Sequence, residues 1–395
     1  MNNIKLISLG LLLLLGGCSK SDKIIQAENT GSTPGVITNL SIENTNGGAK
    51  ITYSLPKDED MLYVEAVYSS KNGAQRTTKA SLYTNFVELE GFNDTEEHEV
   101  TLYAVNRSEN RSAPVTAKIK PLISPLQIVY NSLVVKEDFG GINMEFLNEL
   151  EKDFVFTTDI TGPLGNVVTY NKLYTKAKSR SYSVRGLSPE PTDFFISVKD
   201  KWGNVSDTLK TNLTPIYEEV ISKTSPAWKA LILPNDSWIP TYPAQALDKI
   251  WDGSTAQGRF FVGIAPAQNP LPSWFTIDLG KVYQLSRMKM FQYTVSGSAY
   301  QLGNPELFEI WGSNDPEMNG DWNNWTLLME CQSVKPSGSL GLAKTAEDTA
   351  YAAAGEDFAF PFGTPPVRYI RFKTNKTWGR VDNVLVAELT FWGGK

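Results

Sequence analysis

From about residue 35 to the last residues the chain repeats one local pattern. Short runs of alternating apolar and polar residues are broken by Gly, Pro, Asn and Asp, and helical periodicity is almost absent. An extended strand points successive side chains to opposite faces, so each such run can bury one face only. Residues 50–55, 62–68 and 99–105 show this most clearly in the first third. Half-buried strands of this kind must pack sheet on sheet, and the expected fold class is all-β, built from stacked sandwiches.

The first residues obey a different logic. Lys5, an apolar run over 6–15 and small residues before Cys18 form the layout of an export signal, and the run is shorter than the roughly 18 residues a membrane span requires. Residues 1–17 are therefore expected to be a processing segment. Leu15-Gly16-Gly17-Cys18 resembles the lipobox of bacterial lipoproteins. That resemblance implies a lipidated Cys18 as the mature N-terminus and membrane attachment through the lipid anchor only, since two or more acyl chains hold a soluble body stably. Ser19 in the next position resembles outer-membrane sorting, with exposure at the cell surface expected. Residues 18–34, rich in Ser, Asn, Thr, Lys and Gly, read as a lipidated flexible tether.

Composition then excludes several kinds of chemistry. With Cys18 lipidated, Cys331 is the one remaining thiol of the two cysteines, so no internal disulfide can form. Stability must come from apolar cores, for which 395 residues at 41% hydrophobic content supply enough material. Cys331 is expected to be a small buried hydrophobe. The single histidine, His98, opens a strand run and is expected to be solvated. Histidine is the commonest general base and zinc ligand, so a single one, set among Glu96, Glu97 and Glu99, argues against Ser-His-Asp, Cys-His and multi-histidine zinc chemistry. A net charge of -6 with scattered Lys and Arg argues against a nucleic-acid partner or an anionic-lipid surface.

A gapless internal repeat organises the first half. Residues 196–206 align on 102–112, placing Asp200 on Asn106, Asn204 on Asn110, Ser206 on Ser112 and Pro215 on Pro121 at a constant offset (200 − 106 = 94; 215 − 121 = 94). Such a period fits immunoglobulin-like sandwiches of roughly 100 residues. The run over 102–112 resembles the penultimate strand and turn of fibronectin type III domains, so 35–120 and 121–215 are expected to be two modules of that class. Tyr53, Tyr63, Tyr68 and Trp202 are read as core or flanking residues at strand spacing.

From residue 216 onward the composition shifts, and nine of the ten tryptophans lie there: Trp228, Trp238, Trp251, Trp274, Trp311, Trp322, Trp325, Trp378 and Trp392. Five segments in order, at 250–255, 274–280, 308–315, 368–372 and 386–393, resemble the landmarks of the coagulation factor V/VIII type C, or discoidin, domain. The resemblance implies a jelly-roll sandwich over 216–395 that binds sugars or membranes through loops at one end, its bacterial members being commonly carbohydrate-binding modules. Within the segment at 274–280, Phe275, Ile277 and Leu279 fall on one face and Trp274, Thr276 and Asp278 on the other. Trp274, Trp311 and Trp392 are expected in the core. The loop Asp252-Gly253-Ser254-Thr255 offers oxygen ligands to a hard cation, and the resembling family holds a structural calcium there, closed by a glutamate near the last strand. Asp252, Thr255 and Glu388 are the expected ligands of one structural calcium, the alternative being a plain Asp-Gly turn.

For ligand, flat aromatic faces suit the C–H face of a pyranose while Arg and Asn donate to its hydroxyls. The expected carbohydrate-binding residues are Trp238, Tyr242, Arg259, Phe260, Tyr300, Trp322, Trp378 and Arg380, with Trp325 beside them. The expected function is a non-catalytic surface glycan-binding lipoprotein of a polysaccharide-utilisation system, taking polysaccharide or oligosaccharide and working beside outer-membrane transporters and other glycan-binding proteins. Two other readings stand beside it. One is an adhesion or scaffold protein; the other is a glycoside hydrolase with paired carboxylates such as Asp236 and Asp315, which would have to stand roughly 5–10 Å apart in a cleft.

Overall fold

The structure, a computed structural model, describes residues 32–69, 73, 75–240, 242–256, 261–263 and 271–394. The signal segment, Cys18, nearly all of the tether, and Arg259 and Phe260 lie outside the described residues. Strands dominate throughout, as the alternation requires, and no helix among the described residues is long and apolar enough to cross a membrane.

The first module holds β1 (Thr38–Thr45), β2 (Gly48–Ser54), β3 (Met61–Ser69), β4 (Gln75–Ser81), β5 (Phe86–Glu90), β6 (His98–Asn106) and β7 (Val115–Ile119). They form an antiparallel sheet β1-β2-β5 facing a second one, β4-β3-β6-β7. Ile51, Val64, Ala66, Leu89, Val100 and Leu102 fill the space between, with Tyr53 and Tyr68. Tyr63 points outward and donates to Glu109 at 2.5 Å. His98 is not solvated as its sequence suggested. Its ring lies 4.7 Å from that of Phe92, and Nε2 sits 2.6 Å from Asp94 Oδ1.

The second module repeats this plan. After a short helix α1 (Pro125–Asn131), capped by Ser124 Oγ accepting from Gln127 N–H at 3.1 Å, come β8 (Val134–Asp138), β9 (Gly141–Leu147), β10 (Phe154–Thr161), β11 (Val167–Thr175), β12 (Ser179–Val184), β13 (Thr192–Asp200) and β14 (Leu209–Leu213). The sheets are β12-β9-β8 and β11-β10-β13-β14, the same three-plus-four division in the same order. A glycine pair also recurs in the two modules, one residue short of the repeat's offset (140 − 47 = 93). Gly47 and Gly140 both take a left-handed backbone, at φ 66° and 64°. A Cβ on the following residue, Gly48 or Gly141, would stand 1.8 Å from the carbonyl oxygen of Leu89 or Val184, so only glycine fits there.

The third module is a sandwich wrapped on one long strand. Its elements are β15 (Glu219–Val220), β16 (Lys229–Leu231), β17 (Phe261–Gly263), β18 (Ser273–Phe291), β19 (Pro305–Ser313), β20 (Thr326–Gln332), α2 (Ala346–Ala354), β21 (Glu356–Ala359), β22 (Val367–Thr377), β23 (Val384–Val386) and β24 (Glu388–Gly394). The first half of β18 pairs with β16 and β22, and the second half with β24 and β21, so one strand serves both layers; β17 and β23 pair separately. Gly280 makes the bend at φ 85°, where Pro226 leaves no room for a side chain. Arg368 clamps the strand pair there, donating through Nε and Nη2 to the two Asp278 oxygens at 2.8 Å each. Phe275, Ile277, Leu279, Phe308, Ile310, Ile370, Phe372 and Phe391 form the core, with Trp228 and Trp251. Cys331 is buried in it, and that burial pushes its thiol pKa well up, the state of an inert small hydrophobe.

The modules touch through side chains as well as through chain continuity. Lys152 and Lys201 both reach Glu90 at 3.0 Å across the first junction. At the second, Glu218 Oε1 accepts from Arg185 Nη1 at 2.7 Å and from Ser286 Oγ at 2.5 Å.

Candidate functional site

In the third module the chain between β16 and the 3-10 turn Leu247–Trp251 carries, among the described residues, the most exposed of the expected aromatics. Asn235 takes a left-handed backbone at φ 69°, and the Asp236 N–H closes a turn onto Leu233 O at 3.1 Å. Ser237 N–H then donates to Trp274 O at 2.7 Å and Pro240 bridges Gly263, so the loop is tied to β18 and β17 at two points. Trp238 and Tyr242 remain open, at 40% and 62% exposure. Clamped backbone and free rings make a pre-organised aromatic surface.

Three other expected ligand residues have structural partners instead. Tyr300 is fully buried, stands edge-on to Trp378 at 5.2 Å and donates from its backbone N–H to Gln292 Oε1 at 2.7 Å. It is a packing residue and offers no ring to a ligand. Trp378 is half-buried, gives its indole N–H to Ser333 Oγ at 3.1 Å, and is covered by the Lys335 ammonium 4.6 Å from its ring centre. Ser333 Oγ in turn donates a hydrogen bond to buried Glu356 Oε1 at 2.9 Å, and burial holds that carboxyl above the usual range. Arg380 is exposed, but its Nη1 donates to Glu306 Oε2 and to Thr377 O.

Trp322 lies elsewhere, against the outer face of the sheet. Register places Trp274 opposite Lys373 and Lys373 opposite Glu309, while Thr276 stands opposite Arg371 and Arg371 opposite Trp311. Trp322 lies edge-on to Trp274 and Trp311, at 5.1 and 5.0 Å, and its ring covers the fully buried Arg371 guanidinium at 4.3 Å. Trp325, buried, faces the same guanidinium at 4.4 Å. Glu309 accepts from Trp311 Nε1 at 2.6 Å, Lys373 Nζ at 3.0 Å and Asn375 Nδ2 at 2.6 Å. Trp274, Trp311 and Trp392 are thus half-buried on outer faces and absent from the core. Trp392 stacks under Arg287 at 3.7 Å. The signal was available, because Trp274 has the parity of Thr276 and Asp278, opposite to the core residues.

The suggested carboxylate pair dissolves in this geometry. Asp236 is buried, 3.7 Å from Arg371 Nη2, and burial pushes its carboxyl up to about 6 despite that positive neighbour. Asp315 is exposed on the loop after β19, its N–H donating to Ser313 Oγ. One acid is sealed beneath the tryptophans and the other is in solvent, so they do not share an open cleft.

The expected metal residues converge only in part. Gly253 N–H points at both Glu388 oxygens, at 3.3 and 3.2 Å, but the Lys223 ammonium also donates to Glu388 Oε1 and to Thr390 Oγ1. Asp252 Oδ1 accepts from Ser254 N–H at 3.0 Å, and Thr255 is exposed. Among the described residues no three His, Cys, Asp or Glu side chains gather as a metal-holding group. Glu388 thus meets an ammonium and a backbone N–H, while Asp252 is turned to its own loop. Burial raises Glu388 to about 7, with Lys223 acting in the opposite direction.

Three family models, each of a domain of unknown function, match residues 34–121, 122–224 and 251–393. No curated protein matches the sequence. A solved structure described as SusE-like protein BT2857 is 33% identical, over 68% of this chain and 98% of that one, with a TM-score of 0.45. The chain belongs to the SusE-like proteins. Among further structures similar to this SusE-like chain, a CBM32 domain from a family 31 glycoside hydrolase of Clostridium perfringens is 22% identical, over 43% of this chain and 92% of that one, at a TM-score of 0.32. The family 32 carbohydrate-binding module of C. perfringens NanJ, solved with galactose, is 16% identical over 44% and 98%, at 0.30.

Proposed function

We propose that this chain is a non-catalytic glycan-binding lipoprotein, anchored in the outer membrane through Cys18, exposed at the cell surface and serving a polysaccharide-utilisation system beside transporters and other glycan-binding proteins. Its ligand is an oligosaccharide or polysaccharide taken at the loop end of the third module. The observation that carries the reading is the pair Trp238 and Tyr242, both exposed, with Trp238 held between backbone ties at Ser237 and Pro240. Two exposed aromatic rings, Trp238 on tied backbone, can stack on pyranose faces with little ordering cost. A catalytic reading would need two carboxyl groups facing one open cleft, which Asp236 and Asp315 do not form.

The test is calorimetric titration of the mature chain against soluble plant, host and microbial glycans, with Trp238→Ala and Tyr242→Ala in parallel. Binding lost on either substitution, without release of reducing ends, supports the proposal. Silence across a broad panel, or binding that both variants retain, removes it. Fractionation of Cys18→Ala, which is expected to leave the membrane, checks the anchor separately.

A further inference from the structure

The segment joining the second and third modules ends in an arrangement that supplies its own cation. Val220 pairs with Trp392, Ile221 N–H donates to Phe391 O at 2.9 Å, and Trp228 N–H donates to Lys223 O at 3.1 Å. Lys223 is thereby held between the pairing onto β24 and the turn closed by Trp228. Its side chain is 16% exposed and delivers the ammonium to a Glu388 carboxylate that is 4% exposed. The same ammonium donates to Thr390 Oγ1 at 2.9 Å and lies 5.8 Å from the Trp228 ring centre. On the other side of the carboxylate, the Gly253 N–H of the Asp-Gly loop approaches both oxygens.

A calcium ion at this place would need about six to eight oxygens at roughly 2.3–2.6 Å. Glu388 instead meets an ammonium and an amide proton, both positive, and a divalent ion beside that ammonium would be repelled. The neighbouring carboxylate of Asp252 is turned to Ser254 N–H and stands 4.0 Å from Lys249. We infer that Lys223 is the resident cation of the third module: its ammonium ties the Asp-Gly loop, the entering segment and β24 together, and the module is stable without calcium. A buried carboxylate that loses its partner is costly, so this one side chain secures the point where the third module begins.

The test is thermal unfolding of the mature chain followed by tryptophan fluorescence, which reports chiefly the third module because nine of the ten tryptophans lie there. Wild type should melt at the same temperature in EDTA and in millimolar calcium. Lys223→Met should lower the melting temperature by about 5 °C or more, whereas Lys229→Met, on the exposed start of β16, should not. A wild-type melting temperature that falls in EDTA or rises saturably with calcium overturns the inference, as does a Lys223→Met chain as stable as wild type. Should Lys223→Met fail to accumulate, the wild-type measurement alone decides.

Discussion

The turns at residues 106–112 and 200–206 are the same object in two surroundings. In each, the residue that opens the turn uses one side-chain oxygen to accept two backbone N–H groups: Asn106 Oδ1 from Ser108 and Asn110 at 3.1 and 2.9 Å, Asp200 Oδ1 from Trp202 and Asn204 at 2.9 Å each. In each, a serine hydroxyl takes a strand N–H, Ser112 from Ala104 at 3.0 Å and Ser206 from Val198 at 2.9 Å. What the turns hold differs. Asn106 and Asn110 grip the Ser32 carbonyl at the edge of the tether, at 3.1 and 3.0 Å, whereas Asn204 grips Gly91 O of the preceding module at 3.2 Å. Trp202 then lies against Gly91, with the Arg76 guanidinium 4.9 Å from its ring centre. One local motif thus docks whatever precedes its module.

The largest effect should come from the acceptor that builds the turn. Asp200→Ala and Asn106→Ala should each cost about 2–3 kcal/mol in urea unfolding, because both leave part-buried N–H groups unpaired. Asp200→Asn, which copies the first module, should cost far less. If the alanine variants lose under half a kcal/mol, the turns are not equivalent supports.

Next in size, Trp202→Ala should cost about 1–2 kcal/mol and loosen the first two modules relative to each other, since Trp202 is 38% exposed and gives up only the packed part of its area. Small-angle scattering should show a longer particle, and unchanged dimensions would mean the junction is held elsewhere.

Smaller still is the Glu90 network. Its ion partners are 40–50% exposed, so Glu90→Gln should cost about 0.2–1 kcal/mol and nothing at high salt. Burial raises the Glu90 carboxyl, but Lys152 and Lys201 together bring it below the ordinary range. Its contribution is therefore present at neutral pH and lost as pH falls through that lowered value. Asp236 in the third module has the opposite sign. Raised to about 6, it favours the protonated folded state, so third-module stability should rise as pH falls from about 6 towards 4. Melting monitored by tryptophan fluorescence tests this, and Asp236→Asn should flatten the slope.

Much of the fold was legible because its signals are short-ranged. Alternation around Phe275, Ile277 and Leu279 set the core face of β18, and the offset between Asn106 and Asp200 marked a turn the structure reproduces bond for bond. The site was less legible. Tyr300 and Trp238 are both loop aromatics in sequence, yet one is fully buried and the other 40% exposed. Trp274 and Trp311, expected in the core as strand residues, lie outside it because their parity is opposite to that of Phe275 and Ile310.

Which residues form strands, which faces turn inward and where the repeated turns close can be read from the chain alone, since those follow from sterics and hydrogen bonds within a few residues. Only the tertiary structure decided what lies over each outer face: Trp322 over Arg371, Lys335 over Trp378, and Lys223 on Glu388, 165 residues away in the chain. The physical reason is that exposure and charge pairing belong to the space between distant segments. A strand's own alternation says which way a side chain points, but not what meets it there.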